Sequence, residues 1–380
     1  MLQKKLNYDK RSDLTLLVDG NWLLMSRLAI QSRIHHDFDS LISSLKESLL
    51  TSILHVLSVF HNIDNIIFCA DGGSWRKEIP VPDYITEAYK SEDKPLDYKG
   101  NRQRSDTFDW DRLFEEFNSF ITQMTQFGIN TCQEHNIEGD DWIMKWSVCL
   151  NNDGTNVIIW SKDRDLEQLV SKHPETGAFT VLWNKDYGLV SNEELNSSND
   201  DFNLLFNAYA DKNDTIYREL VDSAGGPNAV KTINTNEIII NKIINGDATD
   251  NVYPICERIS NNRHYKITSN YLQLASNIDV YNENDYKKYF NDVICSDKLK
   301  ATVGKSFLFS SYTGLTPEQQ FVDHFELNRK LVKLDEREYP TEIISMMNKY
   351  DSYKLSKEIK PILEEVQAEK HGMTDILDII

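Results

Sequence analysis

Three short apolar runs, each closing beside an aspartate, constrain this chain more than any other feature. Leu14 to Val18 leads into Asp19-Gly20-Asn21-Trp22, Ile63 to Ala70 stops at Asp71-Gly72-Gly73, and Asn156 to Trp160 precedes Asp163. Near-continuous apolar strands have no solvent face, so they require a sheet covered on both sides. A long amphipathic segment from Phe38 to Phe60 follows the first run, and a helical run from Trp142 to Leu150 precedes the third. This alternation predicts an α/β fold with a central, mostly parallel sheet and helices on both faces. Ligands of such sheets gather beyond the carboxyl ends of the strands, which is where Asp19, Asp71 and Asp163 fall. A single aspartate there is an ordinary turn former or helix cap. Three at one edge are harder to assign to turns alone.

The stretch from Glu138 to Asp165 adds to that charge. Glu138, Asp140 and Asp141 open the helical run, and Asp163 and Asp165 leave the following strand, so five carboxylates occupy the two ends of one helix and strand unit. Carboxylates crowded together repel and raise each other's pKa, which favours hard divalent cations between them. The same residues also suit caps: Asp140 and Asp141 at the positive end of a helix, and Asp165 with Gln168 as a capping box. Both readings stand at this level.

Composition sets outer limits. Of 380 residues, 40% are hydrophobic and 27% charged, and no uninterrupted apolar run has the length of a membrane span. The N-terminal MLQKKLNYDKRSD has no apolar signal core, which gives the expectation of a reducing cytoplasm. Cys69, Cys132, Cys149, Cys256 and Cys295 are scattered, with neither zinc spacing nor a disulfide framework. A net charge of -19 weighs against a phosphate-backbone partner. Acids committed to metal and a local basic strip would allow one nonetheless.

The segment from Gly72 to Arg104 supplies such a strip and is too long and polar for an ordinary connection. Its basic residues are Arg76, Lys77, Lys90, Lys94, Lys99, Arg102 and Arg104, interleaved with Trp75, Tyr84, Tyr89 and Tyr98. Aromatics among cations suit stacking on unpaired bases, although a solvated surface loop has the same composition. Further on, Ser191 to Asn236 reads as an Asn- and Asp-rich insertion with short helices at Phe202 to Ala210 and Ile216 to Ala224. The apolar helix Glu237 to Ile244 ends in a Gly246-Asp247 turn with Asp250 three residues later. Beyond about residue 260 the pattern is mainly helical, and the helix from Glu342 is interrupted at Pro361. The expected division is an α/β core at 1–255, carrying the polar segment at about 72–105 and the insertion at about 191–236, followed by a helical region at 256–380.

Taken in order, VDGNW (18–22), CADGG (69–73), YKGNR (98–102), EGDD (138–141), SKDRD (161–165) and GDATDN (246–251) resemble the motifs of the five-prime nuclease family. That family includes flap endonucleases and the exonuclease domains of bacterial DNA polymerases, and the phage ribonuclease H branch is nearest in look. The resemblance implies a resolvase-like nuclease core with a helical arch. It implies two Mg2+ or Mn2+ ions, the tighter held by Asp19, Asp71, Glu138 and Asp140 and the other by Asp163, Asp165 and Asp247, with Asp141 and Asp250 assisting. Lys99 and Arg102 match basic residues that contact the reacting phosphate. Arg76, Lys77, Tyr98 and Arg104, and beyond the arch Arg258, Arg263 and Lys266, are the expected nucleic-acid contacts.

The implied substrates are DNA and RNA/DNA duplexes with free or single-stranded 5′ ends, cut by a monomer in the cytoplasm of a phage host during replication. A sliding clamp and a single-stranded-DNA-binding protein are the implied protein partners, with the acidic-apolar tail Gly372 to Ile380 as the contact. Gly139 stands where the family commonly has alanine, which is expected to loosen the helix start. The family's glycine-rich hairpin after the GD motif is absent. A PIN-like ribonuclease and a non-catalytic nucleic-acid scaffold with a structural acid cluster remain as alternatives.

Overall fold

The computed structural model describes residues 14–59, 63–89, 95–102, 104, 108–125, 129–184, 188–198, 230–255, 258–260, 263–265, 267, 269–275, 277–296 and 314–350. Lys90, Lys94, Lys266, the two helices expected in 202–224 and the tail 372–380 lie outside them. Contacts group the described residues of 14–73, 108–233 and 341–350 into one unit, and those of 74–104 and 234–340 into a second. The division differs from the expected break at 255. The helix Thr235–Asn245 belongs to the second unit, and the helix Thr341–Asn348 to the first.

The first unit is built on an eight-stranded sheet in the order β3-β2-β1-β4-β6-β7-β8, with β5 paired to β6. The strands are β1 (Leu14–Asp19), β2 (Ile63–Cys69), β3 (Asn130–Cys132), β4 (Asn156–Trp160), β5 (Ser171–Lys172), β6 (Phe179–Asn184), β7 (Gly188–Asn192) and β8 (Val230–Ile233). All residues of β1 and β4 are buried, as their lack of polar alternation requires. From β3 to β6 the sheet is parallel, and β6 pairs antiparallel with β7. The α/β fold with helices and a mostly parallel sheet is therefore present, as is a mainly helical region toward the C-terminus.

Register places the functional end. Val18 sits between Phe68 of β2 and Trp160 of β4, so the three strands finish level with one another. The chain visits β1, β2 and β3 in one direction and then crosses back to β4 on the other side of β1. That reversal is the topological switch point at which a crevice opens beyond the strand ends. Asp19 and Asp163 flank it.

Several elements depart from expectation. The turn after Asp19 is itself the start of a helix, Gly20–Gln31, ahead of the expected Phe38–Val59. The supposed insertion at 191–236 contributes to the sheet through β7 and β8, which pair in parallel. Its middle, 199–229, is outside the description. Past residue 255 a hairpin pairs Arg258–Ser260 with Arg263–Tyr265 ahead of the helices.

The helix behind Asp19 begins with almost no clearance. A Cβ on Gly20 would overlap the Phe68 ring and lie 2.8 Å from the Cys69 carbonyl oxygen, and Phe68 is fully buried. Alanine is ordinarily the better helix former by about 1 kcal/mol. Here Gly20→Ala is expected to lower the unfolding free energy by about 1–3 kcal/mol through overpacking. Urea denaturation reads this directly, and equal or greater stability of the variant would contradict the packing described.

Candidate functional site

Asp19 closes β1 and is buried, 6% exposed, at the mouth between β1 and β4. One carboxylate oxygen accepts from Trp22 N at 3.0 Å and so caps the helix Gly20–Gln31. The other accepts from Ser161 Oγ at 2.6 Å, and Ser161 Oγ in turn accepts from Asp163 N at 2.9 Å. Ser161, the first residue past β4, therefore ties the acid of one strand to the acid-bearing loop of its neighbour. Asp71 lies two residues past β2. Asn21 holds it from both sides, donating Nδ2 to Asp71 Oδ2 at 2.8 Å and accepting from Asp71 N at 3.0 Å.

Gly139 N donates to Asp71 Oδ1 at 2.6 Å. This corrects the expectation of a loosened helix start. A Cβ on Gly139 would lie 3.1 Å from Asp71 Oδ1 and 3.2 Å from Cys69 O, so the missing side chain permits a close approach of helix to acid. Glu138 and Asp141 form a capping box for the helix Gly139–Asn152, with Glu138 N donating to Asp141 Oδ2 at 3.2 Å. Asp140 is half-buried, Asp163 exposed and Asp165 half-buried, and Asp165 N donates to Asp163 Oδ1 at 2.8 Å.

The capping reading is realised at Asp19, Asp163, Glu138 and Asp141, with Asp163 rather than the expected Asp165 capping the turn of helix 164–169. The electrostatics go beyond capping. Burial pushes the Asp19 carboxyl up to about 7, the hydrogen bonds from Ser161 and Trp22 oppose this, and the charges of Asp163 and Asp71 raise it further. Burial likewise drives the Cys69 thiol well above its ordinary value, with Cys132, Asp19 and Asp140 adding to the effect. Burial at the rim thus favours the neutral form of Asp19 despite its two hydrogen bonds.

In donor chemistry the rim fits a hard divalent cation, being all carboxylate oxygen. In geometry, among the described residues, no three His, Cys, Asp or Glu side chains stand ready to grip one ion. The oxygens of Asp19 and Asp71 are directed at backbone amides, Ser161 and Asn21 instead. Sequence reasoning gave Ser161 and Asn21 no role in holding the acids. Their place immediately after a buried strand and after Asp19 was the available signal.

The second unit holds the basic segment. Tyr98 is 7% exposed and packs in a core with Ile240, Ile243 and Phe325. Its hydroxyl donates to Asp250 Oδ2 at 3.0 Å. Lys99 Nζ lies 3.6 Å from the same oxygen, and Arg102 Nη2 lies 2.6 Å from Asp250 Oδ1. Asp247 is bound by Lys242 Nζ at 2.7 Å and by Thr249 N at 2.8 Å. Burial raises the Asp247 carboxyl, but Lys242 and the Thr249 amide outweigh it and hold it below its ordinary value.

Several expected nucleic-acid contacts are corrected here. Trp75, Tyr84 and Tyr98 are buried and present no stacking face. Arg76 is 1% exposed and lies against the rings of Trp75 and Tyr339, at 4.6 and 5.5 Å from their centroids. Buried aromatic and guanidinium groups serve packing. Lys77, Arg102 and Arg104 are exposed. Arg258 and Arg263 sit on the two-stranded hairpin, with side chains outside the description.

The sheet and its acidic rim define the first unit as a resolvase-like α/β domain with its polar groups at the carboxyl ends of adjacent parallel strands. Residues 15–198 match the sequence profile of the 5′-3′ exonuclease N-terminal resolvase-like domain. No curated protein matches the chain significantly. Among solved structures, the chain is similar to bacteriophage T5 5′-exonuclease bound to zinc, at 17% identity and TM-score 0.45, covering 92% of this chain and 99% of that one. It is also similar to a T5 flap endonuclease complex with DNA and metal ions, at 17% identity and TM-score 0.44 with the same coverage.

The raised proton affinity of Asp19 makes folding pH-dependent in a defined direction. Between about pH 4 and pH 7 the folded protein retains a proton on Asp19 that the unfolded chain has released. Folding stability in EDTA is therefore expected to fall as pH rises through this window. Asp19→Asn should flatten that slope in denaturation curves. A variant with the wild-type slope would show that Asp19 is not the group responsible.

Proposed function

We propose that the protein is a structure-specific 5′ nuclease that hydrolyses phosphodiester bonds with two divalent cations, Mg2+ or Mn2+. The observation that carries this reading is the placement of Asp19, Asp71 and Asp163 at the carboxyl ends of three adjacent parallel strands, with Ser161 joining Asp19 to the amide of Asp163 and Gly139 N reaching Asp71. Such a rim is stabilised by a cation at neutral pH. The match of residues 15–198 to the 5′-3′ exonuclease N-terminal domain profile supports it.

The residues assigned to hold the cations are Asp19, Asp71, Glu138, Asp140, Asp163 and Asp165. Asp141, fully buried in its capping box, orients the helix that carries Glu138 and Asp140. Bound divalent cations supply an acidified water and neutralise charge on the leaving oxygen. Lys99 and Arg102 bind substrate phosphate and offset negative charge as the ester is broken. Ser161 keeps Asp19 and the Asp163 loop at a fixed separation. Asn21 and Gly139 N fix Asp71.

The substrates are nucleic-acid duplexes with free or single-stranded 5′ ends, including RNA-primed DNA, in a replication setting that the resemblance to phage nucleases suggests. No helix among the described residues is long and apolar enough to cross a membrane, and the activity is assigned to the cytoplasm. A clamp or single-stranded-DNA-binding protein is the proposed partner class.

The test uses 5′-labelled flap, RNA-primed and blunt duplexes with Mg2+ and with EDTA. Short 5′ products that require Mg2+ are expected. Asp163→Asn should abolish them while binding persists, and Lys99→Ala should slow single-turnover cleavage by about 10²–10³-fold, the scale of losing one charge-stabilising donor. Metal-independent binding without cleavage by the wild-type protein would favour the scaffold reading.

A further inference from the structure

The segment 95–102 and the turn 246–251 lie 147 to 156 residues apart in sequence along their mutual hydrogen bonds. Lys99 N donates to Asp250 O at 2.8 Å and Asn101 Nδ2 to Ala248 O at 2.9 Å. Asn251 Nδ2 reaches Pro95 O at 2.9 Å and Asp97 O at 2.8 Å. At the centre is Asp250, 8% exposed. Both of its carboxylate oxygens are engaged: Oδ1 by Arg102, and Oδ2 by the Tyr98 hydroxyl and, at longer range, Lys99 Nζ.

Lys99 has φ +56°, a left-handed backbone that a residue with a Cβ seldom adopts. The hydrogen bond that its backbone N–H donates to Asp250 O holds that conformation, and its Nζ lies 5.0 Å from the Tyr98 ring centroid. The Arg102 side chain is 55% exposed with its Nη2 on Asp250 Oδ1, whereas that of Lys99 is 12% exposed. A carboxylate already facing two cations and a hydroxyl is a poor ligand for a further positive ion, which those cations repel.

We propose that Asp250 is a positioning residue, which aims Lys99 and Arg102 at substrate phosphate, and that it does not assist a metal ion. The kinetic part of this inference rests on the nuclease reading. The binding part does not.

Asp250→Asn keeps the size of the side chain and an acceptor for Tyr98 while removing the charge. The first measurement is anisotropy of a 5′-phosphorylated overhang DNA in EDTA across a salt series. Lys99 and Arg102, released from their internal counter-ion, are expected to steepen the fall of log K with log salt by about one unit. An unchanged slope overturns the proposal.

The second measurement is single-turnover flap cleavage at increasing Mg2+. The expected rate is about 10²-fold lower, is not restored by Mg2+, and falls little further when Arg102→Ala is added, because coupled residues lose their effect together. Restoration by Mg2+, or fully additive losses, overturns it. Asp250→Glu serves if Asp250→Asn fails to fold by circular dichroism. It is expected to keep the wild-type salt slope and lose rate through misdirected cations, and an unchanged rate overturns the proposal. A wild-type protein that cleaves none of the substrates removes the nuclease reading, and the salt slope then decides the positioning role alone.

Discussion

A carboxylate buried between two parallel strands, with acids on either side, is the constraint around which the first unit is arranged. Asp19 loses hydration at the mouth of β1 and β4, and an ionised carboxylate so placed is costly unless donors meet it. Trp22 N and Ser161 Oγ supply those donors. They reduce the cost without cancelling it, since the carboxyl is still pushed up to about 7. Ser161 also accepts from Asp163 N, so the group that steadies one acid sets the position of another.

The glycines flanking this rim follow from the same crowding. Gly20 passes the Phe68 ring, and Gly139 brings its amide against Asp71. A side chain at Gly20 would displace its helix, and one at Gly139 would press on the Asp71 carboxylate. Packing and electrostatics are therefore set by the same few atoms.

Aspartates that look alike in sequence divide into two electrostatic kinds. Asp19 and Asp71, at the rim, meet backbone amides, a hydroxyl and an asparagine. Asp247 and Asp250, in the second unit, face Lys242, Lys99 and Arg102. The difference separates Asp19, held by neutral donors, from acids that hold protein cations, and it is the basis for giving Asp250 a role of its own.

The sheet was legible in the chain because β1, β4 and the Ile66–Cys69 part of β2 are buried and mostly apolar, which fixes both their type and the end at which their aspartates emerge. The short strands β3, β7 and β8 gave no such signal: three to five residues of mixed polarity show no period, and only pairing with longer neighbours makes them strands. Aromatic residues among lysines and arginines read as a stacking surface. Tertiary packing instead buried Trp75, Tyr84, Tyr98 and Arg76, because composition records which groups are present and not which way they face. Sequence by itself determined that acids would collect at one end of a parallel sheet. Which of their oxygens meet an amide, a hydroxyl or a lysine was decided only in three dimensions, since those partners come from segments as far apart as Asp19 and Ser161, or Arg102 and Asp250.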